Sequence, residues 1–200
     1  ERIYFASPDS IVGNKTVYTY RKALGEQLAI ENNIFADVIV PIPDSGVSAA
    51  IGFSQKSKIP FELGIIRSHY VGRTFIEPSQ TIRQFGVKLK HSVNRSCIEN
   101  KKVILIDDSI VRGTTASKIV KMVYEAGAEE VHLGISCPPI MHPDFYGIDT
   151  PNYNQLIASK SNIKDITKLV GAKSLFFLSL TGTYKAMGFE ERNSHTPQFT

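Results

Sequence analysis

Two adjacent carboxylates, Asp107 and Asp108, close the run Val103-Ile104-Leu105-Ile106, and Ser109-Ile110-Val111-Arg112-Gly113-Thr114-Thr115 follows directly. The run before them is apolar at every position, which fits a strand buried on both faces of a parallel sheet. From Thr115 to Ala126, Ala116, Ile119, Val120 and Val123 fall on one helical stripe, and Gly127 supplies a C-terminal stop. The acids therefore sit between a strand's carboxyl end and a helix start. Ligands of open parallel sheets bind at that end of the strands, and a helix start offers free backbone N–H groups to a phosphate. Gly113 lets the backbone approach closely, while Ser109, Thr114 and Thr115 add hydroxyl donors. Carboxylates suit a diol and amides suit a phosphate; a phosphorylated sugar carries both. The plainer reading, turn aspartates beside a threonine cap, suits a lone Asp-Asp better than this strand–diacid–hydroxyl loop–helix series.

The elements that must position these residues alternate along the chain. Val38-Ile39-Val40, ended by Pro41 and Pro43, reads as a strand, as do Leu63-Gly64-Ile65-Ile66, Val131 to Ile135 and Leu175 to Leu178. Helices are expected from about Gly46 to Gln55 and from about Tyr20 to Glu31, the latter with Tyr20, Leu24 and Leu28 on one stripe. This alternation implies an α/β fold with a mainly parallel central sheet and helices on both faces. Residues 1–200 are expected to form a single domain, with 1–35 as lead-in and first helix and 190–200 as a frayed or truncated end.

Composition bounds the function classes. A hydrophobic fraction of 42% and a charged fraction of 21% belong to a folded globular chain rather than a disordered one. No apolar run approaches the roughly 20 residues of a membrane span. The formal charge of +4 suits a small polyanion as well as a nucleic acid. Arg67, Arg73, Arg83, Lys88, Lys90 and Arg95 gather around the single acid Glu77, as an anion-handling loop or a solvated surface. Cys97 and Cys137 form no CxxC pair, so a reduced, cytoplasmic protein is the simplest expectation. Beginning at Glu1 rather than Met, the sequence reads as a processed or excised chain. Gly46-Val47-Ser48-Ala49-Ala50 nearly spells a nucleophile elbow but lacks the final glycine. His69, His132 and His142 are too dispersed to read as metal ligands.

Asp107 to Thr115 resembles the phosphoribosyl pyrophosphate loop of type I phosphoribosyltransferases, in the form found in amidophosphoribosyltransferases. Pro43-Asp44-Ser45-Gly46-Val47 is similar to that family's pyrophosphate loop, and Tyr70-Val71-Gly72-Arg73-Thr74-Phe75-Ile76 to the start of its active-site loop. Phe145-Tyr146-Gly147-Ile148-Asp149 and Ile3 to Ser10 resemble further stretches of the same enzymes. Five positions depart from the pattern. Ser7 stands where relatives often have arginine, Ser68-His69 where Asn-Arg is common, and Gly46 where some have a serine associated with Mg²⁺. Asp144 stands where iron–sulfur members place a cysteine.

The resemblance implies a type I phosphoribosyltransferase fold. It also implies transfer of ammonia, drawn from glutamine in the complete enzymes, to 5-phosphoribosyl 1-pyrophosphate, giving 5-phosphoribosylamine in the first step of purine biosynthesis. Asp107 and Asp108 would hold the ribose hydroxyls and help place Mg²⁺, and Ser109, Ile110, Val111, Arg112, Gly113, Thr114 and Thr115 would wrap the 5-phosphate. Arg73 and Lys90 are the implied catalytic cations, with Asp44, Ser45, Gly46, Val47, Arg67 and Tyr70 as further substrate contacts. Asp144 argues against a [4Fe–4S] cluster. The N-terminal glutaminase domain of such enzymes is missing from this sequence, purine nucleotides are implied as inhibitors, and relatives form homo-oligomers. Neither membrane nor nucleic acid is expected as a partner. Two alternatives share the diacid loop, a nucleobase salvage transferase and a regulator that senses the same sugar.

Overall fold

The computed structural model describes residues 2–67, 91–144, 152–194 and 196. A short hairpin, β1 (Ile11–Val12) with β2 (Lys15–Thr16), leads into α1 (Val17–Glu31). The helix begins three residues before the apolar stripe suggested, because Thr16 caps it by accepting from the Thr19 N–H at 3.3 Å. Then come β3 (Val38–Pro41), α2 (Val47–Ser57), β4 (Ile65–Arg67), β5 (His91–Val93), α3 (Arg95–Ile98), β6 (Lys102–Asp107), α4 (Thr114–Glu125) and β7 (Glu130–Ile135). Two 3₁₀ turns (Tyr153–Gln155 and Ile157–Ser159), α5 (Ile163–Val170), β8 (Ser174–Phe177) and α6 (Leu180–Ala186) complete the order.

Strands β3, β6, β7 and β8 form one parallel sheet in that order, with Val103 of β6 opposite Val38 on one side and Val131 on the other. Their unbroken hydrophobicity has a direct cause. Val103 and Leu105 face a core shared with Ile119, Val120 and Val123 of α4 and Ile166 and Val170 of α5. Ile104 and Ile106 point the other way, into a core with Leu24 and Leu28 of α1 and Ala49, Ala50 and Phe53 of α2. Successive residues alternate faces, so a strand covered on both must be apolar throughout.

The stretch from Leu63 departs from expectation, because β4 lies outside this sheet and pairs antiparallel with β5 instead. Just before it the chain touches the sheet edge at an isolated parallel bridge, Phe61 to Ile39. The Ile39 N–H donates to Pro60 O and the Glu62 N–H to Ile39 O. The next bond toward β4 would run from an N–H at position 41 of β3 to Glu62 O; Pro41 has none, and the chain turns away.

Helices α1 and α2 pack unusually close. A Cβ on Gly25 would lie 1.8 Å from Ala49 O, and one on Gly52 2.0 Å from Lys22 O. Two glycines thus let each backbone rest on the other, which fixes where α2 starts relative to the sheet. Gly25→Ala is therefore expected to destabilise the fold by about 2–3 kcal/mol despite alanine's better helix propensity. Urea unfolding checks this, and an unchanged or raised midpoint would show that the helices can separate cheaply.

Candidate functional site

The carboxyl ends of β3 and β6 bring two loops together. Asp107 ends β6, and its Oδ1 accepts from Ser45 Oγ at 3.0 Å and from the Asp108 N–H at 2.9 Å. The Asp107 carbonyl accepts from both the N–H and the hydroxyl of Ser136, at 2.9 and 3.1 Å, just beyond β7. Asp108 is 6% exposed, and its Oδ1 accepts from Ser109 Oγ at 2.9 Å. Both carboxyls therefore occupy fixed positions behind a crown of strand ends.

Burial raises the pKa of Asp107 well above the ordinary carboxylate range, and the neighbouring Asp108 charge raises it further; the Asp108 N–H and the Ser45 hydroxyl oppose this. Asp108 is raised too, chiefly by burial, with Ser109 donors and the Arg21 charge pulling it down. The two titrate as a pair. Burial also raises the Cys137 thiol, and both aspartates add to the effect. A neutral thiol is what two carboxylates tolerate as a neighbour.

The Pro43–Val47 loop approaches from β3. Gly46 sits so close to β6 that a Cβ would lie 2.1 Å from Ile106 O, so a serine here would require the backbone to move. Val47 opens α2, and no side chain caps that helix. Asp44 is exposed and forms an ion pair with Arg67, which places both on the solvent side of Ser45. The Pro43–Asp44 peptide bond is cis.

The segment after the diacid divides its labour. Ile110 is 4% exposed and packs in the core beside α4, so only its backbone is available to a ligand. Val111 accepts from the Ile157 N–H at 2.9 Å, while Arg112 is exposed. Gly113 has φ +75°, a left-handed turn that favours glycine, and a Cβ there would lie 3.0 Å from Ile157 and 3.3 Å from Leu169. The turn aims the chain into α4, whose start has no side-chain cap, with Thr114 and Thr115 exposed there. Uncapped N–H groups at a helix start, a few residues from two carboxylates, form an anion cradle beside an acidic one.

Tyr70, Arg73 and Lys90 lie outside the described residues, as do Ser68-His69 and Phe145 to Asp149. Sequence reading passed over two groups that the fold brings in. Ser136 carries no local signal. Arg21 did carry one, since a charge at the position three before Leu24 interrupts the apolar stripe of α1.

Known proteins resemble this arrangement closely. Residues 22–144 match the model of the phosphoribosyl transferase domain family. Across its whole length the chain is 59% identical to an amidophosphoribosyltransferase of Rhizobium etli, covering 40% of that protein. It is 52% identical over 96% of its length to a chloroplastic amidophosphoribosyltransferase of Glycine max, covering 34% of it. A solved structure of B. subtilis glutamine phosphoribosylpyrophosphate amidotransferase, complexed with ADP and GMP, superposes with a TM-score of 0.88 at 50% identity, over 96% of this chain and 42% of that one. The chain thus spans about two fifths or less of the relatives it matches.

The raised carboxyls have a consequence for stability. A folded-state pKa above the unfolded value means the folded protein binds the extra proton, so this contribution is full below the ordinary carboxylate range and is lost as pH rises through the raised value. Asp107→Asn keeps an oxygen for Ser45 and the Asp108 N–H but removes the charge. In metal-free buffer the variant should exceed the parent by about 1–2 kcal/mol near pH 8, with the gain fading toward about pH 5. Thermal or urea unfolding at both pH values reads the difference; an equal shift at each would refute a charge origin.

Proposed function

The chain belongs to the phosphoribosyl transferase domain family, and from that premise we propose that it is the phosphoribosyltransferase part of an amidophosphoribosyltransferase. The proposed reaction displaces pyrophosphate from C1 of 5-phosphoribosyl 1-pyrophosphate with ammonia, giving 5-phosphoribosylamine. The observation that carries this reading is the junction of the two loops, where Ser45 donates to Asp107 beside an uncapped helix start. Identity of 50–59% to proteins named for that activity supports the choice among phosphoribosyltransferases. Residues 1–200 are taken as the one domain that performs the sugar chemistry.

Asp107 and Asp108 would accept from the ribose hydroxyls, which replace the water that burial has removed. The 5-phosphate would rest on the N–H groups and hydroxyls from Ser109 to Thr115, with Ile110 contributing only backbone. The pyrophosphate would lie toward Asp44 to Val47, where α2 presents its own uncapped start. Arg67 pairs with Asp44 at that edge, and Arg73, Lys90 and Tyr70 are assigned to it by resemblance. Such a substrate is held at three points, which orients C1 for attack. The transition state has oxocarbenium character, and a closed site spares it from water.

Mg²⁺ fits the donor set. Two hard carboxylates, both raised by burial and repulsion, are relieved by a divalent cation, which supplies charge neutralisation to the departing pyrophosphate. The site does not fit a [4Fe–4S] cluster. This chain has two cysteines, and Cys137 is buried with its thiol donating to Pro138 O. Asp144 offers no thiolate.

Glutamine hydrolysis is assigned to the portion of the relatives that this chain does not span. Purine nucleotides are proposed as ligands because the B. subtilis enzyme was solved with ADP and GMP, and a homo-oligomer is proposed from the family. No helix among the described residues is long and apolar enough to cross a membrane, and we place the protein in the cytoplasm.

Pyrophosphate release from phosphoribosyl pyrophosphate with Mg²⁺ tests the reading, comparing ammonium, glutamine, free purines and orotate as acceptors. Ammonium is expected to drive release and glutamine not to; release driven by a base would move the chain to nucleobase salvage. Asp108→Asn should lower kcat/KM for ammonium by at least about a hundredfold, and an unaffected rate would remove Asp108 from the site.

A further inference from the structure

Ser136 is the first residue past β7, is 2% exposed, and directs both of its donors at one acceptor. Its N–H reaches Asp107 O at 2.9 Å, and its hydroxyl reaches the same oxygen at 3.1 Å. The first bond carries the β6–β7 ladder one step beyond the Asp107–Ile135 pair, and any residue but proline could make it. The second depends on the serine side chain. A carbonyl oxygen has two lone pairs, and here both are taken. That carbonyl belongs to the planar peptide unit joining Asp107 to Asp108. The N–H on the opposite edge of the same unit donates to Asp107 Oδ1 at 2.9 Å, and that oxygen also accepts from Ser45 Oγ at 3.0 Å. A line of hydrogen bonds thus runs from the end of β7, through the peptide that closes β6, to the loop after β3. These are three neighbouring strands of the sheet.

We infer that Ser136 is a positioning residue for the diol site, its hydroxyl fixing the plane of the Asp107–Asp108 peptide and so the placement of one carboxyl relative to the other. The inference rests on the proposed role of the diacid in binding ribose hydroxyls. Turning that peptide unit changes ψ of Asp107 and φ of Asp108 together, which swings the two side chains in relation to each other. A cis-diol presents two hydroxyls at a set spacing and needs both carboxyls in place, whereas a single hydroxyl tolerates a shift in either. Bonds in such a line polarise one another, so the Ser136 hydroxyl at one end also strengthens the Asp108 N–H bond to Asp107 Oδ1. With Oδ1 accepting twice, the other oxygen of Asp107 is left to the ligand. Ser136 itself need not touch substrate.

Ribose 5-phosphate and 2-deoxyribose 5-phosphate are compared by calorimetry with Mg²⁺ on the parent chain, Ser136→Ala and Ser136→Cys. Taking the ratio of the two affinities within each protein cancels any general loss of folded material. Alanine removes the hydroxyl and keeps the backbone bond, while cysteine restores the volume but offers only a weak donor. The parent should prefer the full sugar by about tenfold, the worth of a charge-assisted hydrogen bond. Both variants should fall to about threefold or less, with affinity for the deoxy sugar nearly unchanged. Full preference retained in Ser136→Ala, or equal losses for both sugars, would overturn the positioning role. Full preference in Ser136→Cys alone would overturn it too, by showing that the position needs bulk rather than a hydroxyl. A parent that cannot tell the two sugars apart would instead overturn the diol reading itself, and the inference with it.

Discussion

A strand with no water on either face ends in two neighbouring carboxylates, and the cost of desolvating them organises the rest of the site. Each lone pair left without water has to find a donor or remain available for a ligand. Ser45 and the Asp108 N–H satisfy part of Asp107, Ser109 satisfies part of Asp108, and what remains unsatisfied is what a diol or a hard cation can supply. The strain of this arrangement is electrostatic rather than steric. The acids stand at the end of a four-stranded sheet packed on both faces.

The supporting elements act at a distance from the acids themselves. Gly25 and Gly52 let α1 and α2 rest backbone on backbone, and this contact sets the height at which α2 begins. Gly46 then lies on the Ile106 carbonyl of β6, and its neighbour Ser45 reaches Asp107. On the other side of the sheet, Gly113 turns the chain into α4 against Ile157 and Leu169. Two helix starts, each without a side-chain cap, consequently face the same crevice from opposite layers. An anion with two phosphate groups separated by a sugar matches that division.

Much of this was legible in the residues. Val103 to Ile106 announced a doubly covered strand, the stripe from Ala116 to Val123 announced α4, and the diacid between them announced where a ligand would lie. Other elements were not legible. The eight-residue α5 and seven-residue α6 are too short for a periodic pattern to stand out, and their positions follow from the faces of β7 and β8 that needed covering. The departure of β4 from the sheet was written in Pro41, but only the register of Ile39 against Phe61 shows what its missing N–H prevents.

The sequence by itself determined the α/β class, the order of the main strands and helices, and the identity of the acids, because those depend on hydrophobic period and on neighbours along the chain. Tertiary structure alone decided that Ser45 meets Asp107 across 62 positions, that Ser136 supports the Asp107 carbonyl, and that the Arg21 side chain is buried against the carbonyls of Arg2 and Ala6. The physical reason is that desolvation belongs to a place and not to a residue. An aspartate's affinity for its proton, a cation or a sugar depends on what surrounds it in space, and the local pattern contains no record of neighbours that arrive from elsewhere in the chain.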